Sequence, residues 1–93
     1  MSDIPFLLNL VTNKAVLTQA VAAEIDARGM SCPMPLLKAK QALRPLQVGE
    51  VLRVLATDAG SLKDFVSFAQ ITGQIIQGFY TQDEVYYYLI CKQ

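Results

Sequence analysis

The chain contains no histidine. That absence removes Cys/His catalytic pairs and most zinc arrangements, which use imidazole as base or ligand. Cysteine is nearly as scarce, with only Cys32 and Cys91 among 93 residues. Two thiols cannot build the disulfide framework of a small secreted domain. Set this far apart, they also offer no thiolate metal site within one chain. Net charge is lacking as well: eight Lys plus Arg stand against eight Asp plus Glu. No whole-molecule field draws in nucleic acid, so direct nucleic-acid binding is not expected. Long apolar runs are missing too. Phe6-Leu7-Leu8 follows Met1-Ser2-Asp3 without a basic residue, and Asn9, Thr12, Asn13 and Lys14 interrupt what comes next. This suits neither a secretory signal nor a membrane span. A reducing cytoplasm is the expected setting, with no cofactor, metal or membrane partner.

What is present is an apolar chain: 53% hydrophobic residues and only 17% charged. Its length suits one small domain with a single core. Either that core takes a large share of the chain, or apolar surface meets a partner. Residues 21–27 alternate, with Val21, Ala23 and Ile25 against Ala22, Glu24 and Asp26, the period of a half-buried strand. Arg28-Gly29 turns the chain into a helix whose buried stripe is Leu36, Ala39, Leu43 and Leu46, ended by Pro45 and Gly49. Residues 50–56 form a second, more apolar strand, as expected at a sheet centre. Ser61 and Asp64 have the spacing of a capping box. The helix they open buries Leu62, Phe65, Val66 and Ala69 and stops at Gly73. Residues 74–80 and 85–91 are two further strands joined by a turn at Gln82-Asp83-Glu84.

The order is β-α-β-α-β-β. Crossover helices make the first strand pair parallel, and the short turn makes the last pair antiparallel. The fold expected is an α/β (α+β) two-layer sandwich, a mixed four-stranded sheet with two helices on one face. Residues 1–20 form an N-terminal extension and 21–93 the domain proper. The second face of the sheet is left open. The extension, or a second copy in a homodimer, could cover it.

Ser31-Cys32-Pro33-Met34-Pro35 is the segment that carries chemistry. Proline is tolerated in a helix's first turn, so this spacing predicts a helix start at Cys32, with Pro33 and Pro35 at the first and third helical positions. A cysteine at such an N-cap meets the positive end of the helix dipole, and the Met34 N–H is placed to donate to its sulfur. A thiol pKa modestly below the usual value is expected. Arg28 would add to this effect, whereas Asp26 and Asp58 would oppose it. Topology gathers Asp26, Arg28, Cys32, Thr57 and Asp58 at the carboxyl ends of the first two strands, where open sheets place their sites. No base stands beside Cys32 in sequence, which points to a sulfur that exchanges readily and away from a self-sufficient enzyme. Cys91, near the end of the last strand, reads as structural or incidental.

Asp26-Ala27-Arg28-Gly29-Met30-Ser31-Cys32-Pro33-Met34-Pro35-Leu36-Leu37 resembles the signature of the TusA (SirA-like) sulfur carriers, whose hallmark is Cys-Pro-x-Pro at the first helix. The likeness continues through Gly49-Glu50-Val51-Leu52, Ala56-Thr57-Asp58-Ala59-Gly60, Lys63-Asp64-Phe65 and Tyr88-Leu89-Ile90. It implies the same two-layer sandwich. It also implies that Cys32 accepts a sulfane sulfur as a persulfide from a cysteine desulfurase or a rhodanese and passes it to an acceptor protein, with tRNA thiolation the commonest association. The chain departs from the pattern at Ala59, where proline is frequent, at Ser31, where a basic residue often stands, and at Gly73-Gln74, in place of Gly-His. A non-catalytic interaction or regulatory module on the same fold is the alternative reading, and RNA binding a more distant one.

Overall fold

A computed structural model of the chain describes residues 10–93. Its elements are α1 (Ala15–Thr18), β1 (Ala23–Ala27), α2 (Met34–Leu43), β2 (Val51–Ala56), α3 (Ser61–Thr72), β3 (Ile75–Gln82) and β4 (Val85–Cys91). The strands lie in the order β1-β2-β4-β3. β1 runs parallel to β2, and β4 runs antiparallel to both β2 and β3. This is the expected mixed sheet with α2 and α3 on one face.

The strand alternation decides which side chains reach that helical layer. Leu52, Val54 and Ala56 of β2 pair with Ala23, Ile25 and Ala27 of β1 and with Ile90, Tyr88 and Tyr86 of β4. With Ala39 and Leu43 of α2, Phe65 and Ala69 of α3 and Ile76 of β3, the three β2 residues, Tyr88 and Ile90 form one core, against which Ala23, Ile25 and Tyr86 pack. β2 is central because every helix-facing residue it carries is apolar and fully buried. Phe65 packs on Tyr88 with ring centroids 4.5 Å apart, and the buried Tyr88 and Ser61 hydroxyls satisfy each other at 2.6 Å. Burial pushes the Tyr88 hydroxyl up to about 12, so it stays neutral in this pair.

Helix ends follow local chemistry. Lys92 Nζ donates to the Leu43 and Arg44 carbonyls at 2.7 and 3.2 Å, placing a cation on the negative end of α2. Gly73, at φ 81°, ends α3 in the left-handed conformation that glycine adopts freely. Leu62, expected in the buried stripe of α3, is exposed instead. Ser61 takes the inward position, because α3 starts after Gly60 and Ser61 is already inside the helix.

Part of the second face is covered by α1, while Val11 lies along the free edge of β3 and Leu10 packs against the helix-side core. Val11 bridges to Gly78 in parallel register, its N–H donating to the Gln77 carbonyl and its own carbonyl accepting from the Phe79 N–H. Val16 of α1 is fully buried and lies over Gly78, where an added Cβ would come within 3.0 Å of Val16 Cγ2 and 2.9 Å of Leu89 Cδ1. Arg53, the one charged residue of β2, points to this face. Its guanidinium donates to the carbonyls of Val16 and Gln19 and pairs with Glu24 at 3.2 Å. A buried cation needs such partners. Residues 1–9, the rest of the extension, lie outside the described residues.

Candidate functional site

The site is built where β1 and β2 end. Gly29, at φ 81°, turns the chain out of β1, and its N–H donates to Thr57 Oγ1 at 2.9 Å. That bond ties the loop after β1 to the loop after β2. The loop then delivers Cys32, which is exposed.

The helix starts later than the proline spacing predicts. Met34 is the first helical residue, Pro33 is the N-cap at φ −99°, and Pro35 is in the first turn and buried. Cys32 therefore precedes the cap. The reason is a turn: the Met34 N–H donates to the Ser31 carbonyl at 2.8 Å. That amide is thus occupied, and the donor expected for the Cys32 sulfur does not serve it. The Cys32–Pro33 peptide is cis.

The sulfur finds another partner. Cys32 Sγ donates to Asp64 Oδ2. This bond pushes the thiol up from its ordinary value, helped by desolvation and by the charges of Asp64 and Asp58. A carboxylate that accepts the thiol proton favours the neutral form and repels the thiolate. The expectation of an acidified thiol is thereby reversed.

Arg28 does not offset this. Its guanidinium grips Asp26 through two bonds, Nε to Oδ1 at 2.9 Å and Nη2 to Oδ2 at 2.7 Å, while its N–H donates to the same carboxylate at 3.0 Å. The arginine beside Asp26 holds that carboxyl at about 2. Asp58 is turned toward its own loop, accepting from the Gly60 N–H at 3.0 Å, and its carbonyl accepts from the Ser61 N–H at 3.0 Å. It acts on Cys32 by charge alone. Gly60 lets the loop come close: a Cβ there would sit 3.9 Å from the Cys32 Cβ and 3.1 Å from Asp58 Oδ2.

The structure thus brings together Cys32, Asp58, Gly60 and Asp64, and leaves Asp26 and Arg28 as a separate exposed pair. Asp64 is the residue that sequence reasoning assigned elsewhere. Its spacing from Ser61 fits a capping box, but the cap is Gly60 with no side-chain bond. Ser61 faces the core, and Asp64 is free to face the cysteine. Met34 and Leu37 of α2 and Leu62 of α3 expose apolar surface. Asp64 also edges a cleft of about 260 Å³ between α2 and α3, lined by Leu36, Lys40, Ser67, Phe68 and Ile71. No cluster of three histidine, cysteine or carboxylate side chains that could hold a metal occurs among the described residues, and none of their helices is long and apolar enough to cross a membrane.

The chain that carries this cysteine ahead of a proline-marked helix is similar to known proteins. The family model described as sulfurtransferase TusA matches residues 23–92. The chain belongs to the TusA family. It is 44% identical over 69 residues to the sulfur carrier protein TusA of Allochromatium vinosum, covering 74% of this chain and 91% of that one. The sulfur carrier protein TusA of Pseudomonas entomophila is 34% identical over 71 residues, 76% of this chain and 89% of its own. Among solved structures, the SirA-like protein of Desulfitobacterium hafniense superposes with a TM-score of 0.66 at 31% identity, covering 74% of this chain and 95% of its own. The family match begins at the first residue of β1, so α1 and the residues before it stand outside it.

Proposed function

We infer that this TusA-family chain is a sulfur-relay protein in which Cys32 holds the sulfur as a persulfide. The observation that carries this reading is an exposed thiol where β1 and β2 end, with no base beside it except carboxylates. Such a sulfur can exchange with another sulfur but lacks the groups to complete a catalytic cycle on a small molecule. The names of its relatives support the same reading.

The donor is a protein persulfide, held by a cysteine desulfurase or a rhodanese. The Cys32 thiolate attacks its terminal sulfur, the donor S–S bond breaks, and the donor thiolate leaves. An acceptor-protein thiol then attacks the terminal sulfur of the Cys32 persulfide in the same way and returns Cys32 to the thiol. No cofactor or metal enters this exchange. Recognition rests on protein contacts around the rim, for which Met34, Leu37 and Leu62 supply apolar surface. An acceptor serving tRNA thiolation is the first to test.

Incubation with a cysteine desulfurase and cysteine, without reductant, followed by intact mass measurement, tests the reading. Wild-type protein gains one sulfur atom and Cys32→Ser gains none. Absence of any gain from both desulfurase and rhodanese donors overturns it. Binding of a partner that proceeds unchanged in Cys32→Ser, with no sulfur taken up, would favour an interaction module instead.

A further inference from the structure

We propose that Asp64 is a charged latch on Cys32, closed on the empty thiol and opened by the arrival of the sulfur itself. The proposal rests on the carrier reading and adds to it a difference between the empty and loaded states. The empty thiol has one proton, and the geometry commits it: Sγ donates to Asp64 Oδ2. Loading follows the balance Cys32–SH + R–S–SH → Cys32–S–SH + R–SH, where R–S–SH is the donor persulfide. The donor S–S bond breaks, a new S–S bond forms at Cys32, and the remaining proton resides on the terminal sulfur or leaves to solvent. The inner sulfur now carries no hydrogen, so the bond to Asp64 has lost its donor. The terminal sulfur lies about 2 Å farther along, one S–S bond away. If it is ionised, it meets the carboxylates of both Asp64 and Asp58, and like charges repel.

Asp64 is fixed well enough for this to matter. It sits in the first turn of α3, half-buried, and its N–H donates to the Gly60 carbonyl at 3.2 Å. Among the described residues none forms an ion pair with it; Lys40 of α2 lines the same cleft. Arg28, from the loop after β1, is held by Asp26. Among the described residues, Lys38 of α2 and Lys63 of α3 form no ion pair with it. The Tyr88 hydroxyl of β4, beneath α3, is engaged by Ser61. Asp58, from the loop after β2, adds to the negative charge, and both carboxylates push the thiol up from its ordinary value. The latch stabilises the empty state over the loaded one. It therefore shields the resting thiol from stray electrophiles and oxidants, and it favours delivery of sulfur over retention.

The test uses the full chain carrying Cys91→Ser, so that one thiol reports, and compares it with added Asp64→Asn or Asp64→Ala. Asparagine keeps an acceptor without the charge, and alanine removes both. Circular dichroism checks that each folds. In the first measurement, iodoacetamide alkylation is followed against pH. Both variants show a lower thiolate midpoint. For each unit by which it falls, thiolate content at neutral pH rises tenfold while nucleophilicity falls about threefold, a net gain of about threefold in rate. In the second, protein loaded from glutathione persulfide is equilibrated with glutathione. The sulfur retained on Cys32 is greater in Asp64→Asn than in the parent, and greatest in Asp64→Ala. Normal loading with coincident alkylation midpoints overturns the latch and leaves the carrier reading standing. Failure of the parent protein to gain sulfur from both a desulfurase and a rhodanese donor overturns the carrier reading itself, whatever the alkylation profiles show.

Discussion

Arg28 is the basic residue closest to Cys32 in sequence, and its effect on the thiol is cancelled by a neighbour two positions away. Asp26 takes the guanidinium in a two-bond clasp, a geometry in which both charges are matched and little field is left to act on a third group. Arg28→Ala is therefore expected to leave the alkylation-versus-pH profile of Cys32 unchanged. In the same variant the Asp26 carboxyl, titrated by NMR, rises from about 2 toward the ordinary carboxylate value near 3.9. The sign of the linked stability effect follows. A carboxylate depressed by folding stabilises above its unfolded pKa, and that contribution is lost as pH falls through the folded value of about 2. Both side chains are about half exposed, so the stability effect is small. Residue-level chemistry was the least legible part of the sequence. The motif points to Cys32, but whether its sulfur is acidified depends on one amide and one carboxylate. Met34 N–H turns back to Ser31, and Asp64 turns toward the cysteine once Gly60 takes the cap. Local spacing does not distinguish a carboxylate that caps its own helix from one that reaches a neighbouring loop.

At the scale of elements, the sandwich was legible because each strand and helix has a clear period and a clear stop. β2 carries apolar residues on its helical face, α3 ends at a glycine with positive φ, and the β3–β4 hairpin closes through Asp83 and Glu84, at φ 53° and 65°. That turn has the left-handed pair typical of a tight hairpin, though neither residue is glycine. The element that escaped the pattern is α1. Four residues cannot show a helical period, and its placement depends on a gap in β3 at Gly78. A Cβ at that position would crowd both Leu89 and Val16. Gly78→Ala is expected to destabilise the fold by about 1–3 kcal/mol in urea unfolding, the range for overpacking a filled interior. Val16→Ala removes the crowded Val16 Cγ2. In the double variant its own cost should shrink, giving a coupling of about 0.5 kcal/mol or more in a double-mutant cycle. Additive costs would mean that α1 does not rest on Gly78.

For the whole molecule, the layers divide the work. The α2–α3 layer and the sheet make the core and present the rim where Cys32 sits. The segment outside the family match covers the opposite face through Val16 and the carbonyls held by Arg53. That arrangement answers within one chain part of the apolar excess read from composition. Met34, Leu37 and Leu62 remain exposed apolar side chains. The fold was legible because a whole-chain pattern averages over many residues. The role of Cys91 is a choice between two thiols, and here the structure separates them: Cys32 is exposed at the rim, whereas Cys91 is half-buried at the end of β4. The most direct test of the account is to locate the sulfur. After loading from a desulfurase, wild-type protein is blocked by alkylation without reductant, digested, and fragmented by mass spectrometry. The account predicts the added sulfur on the peptide containing Cys32 and none on the peptide containing Cys91. Sulfur on Cys91, or spread equally over both, would contradict it.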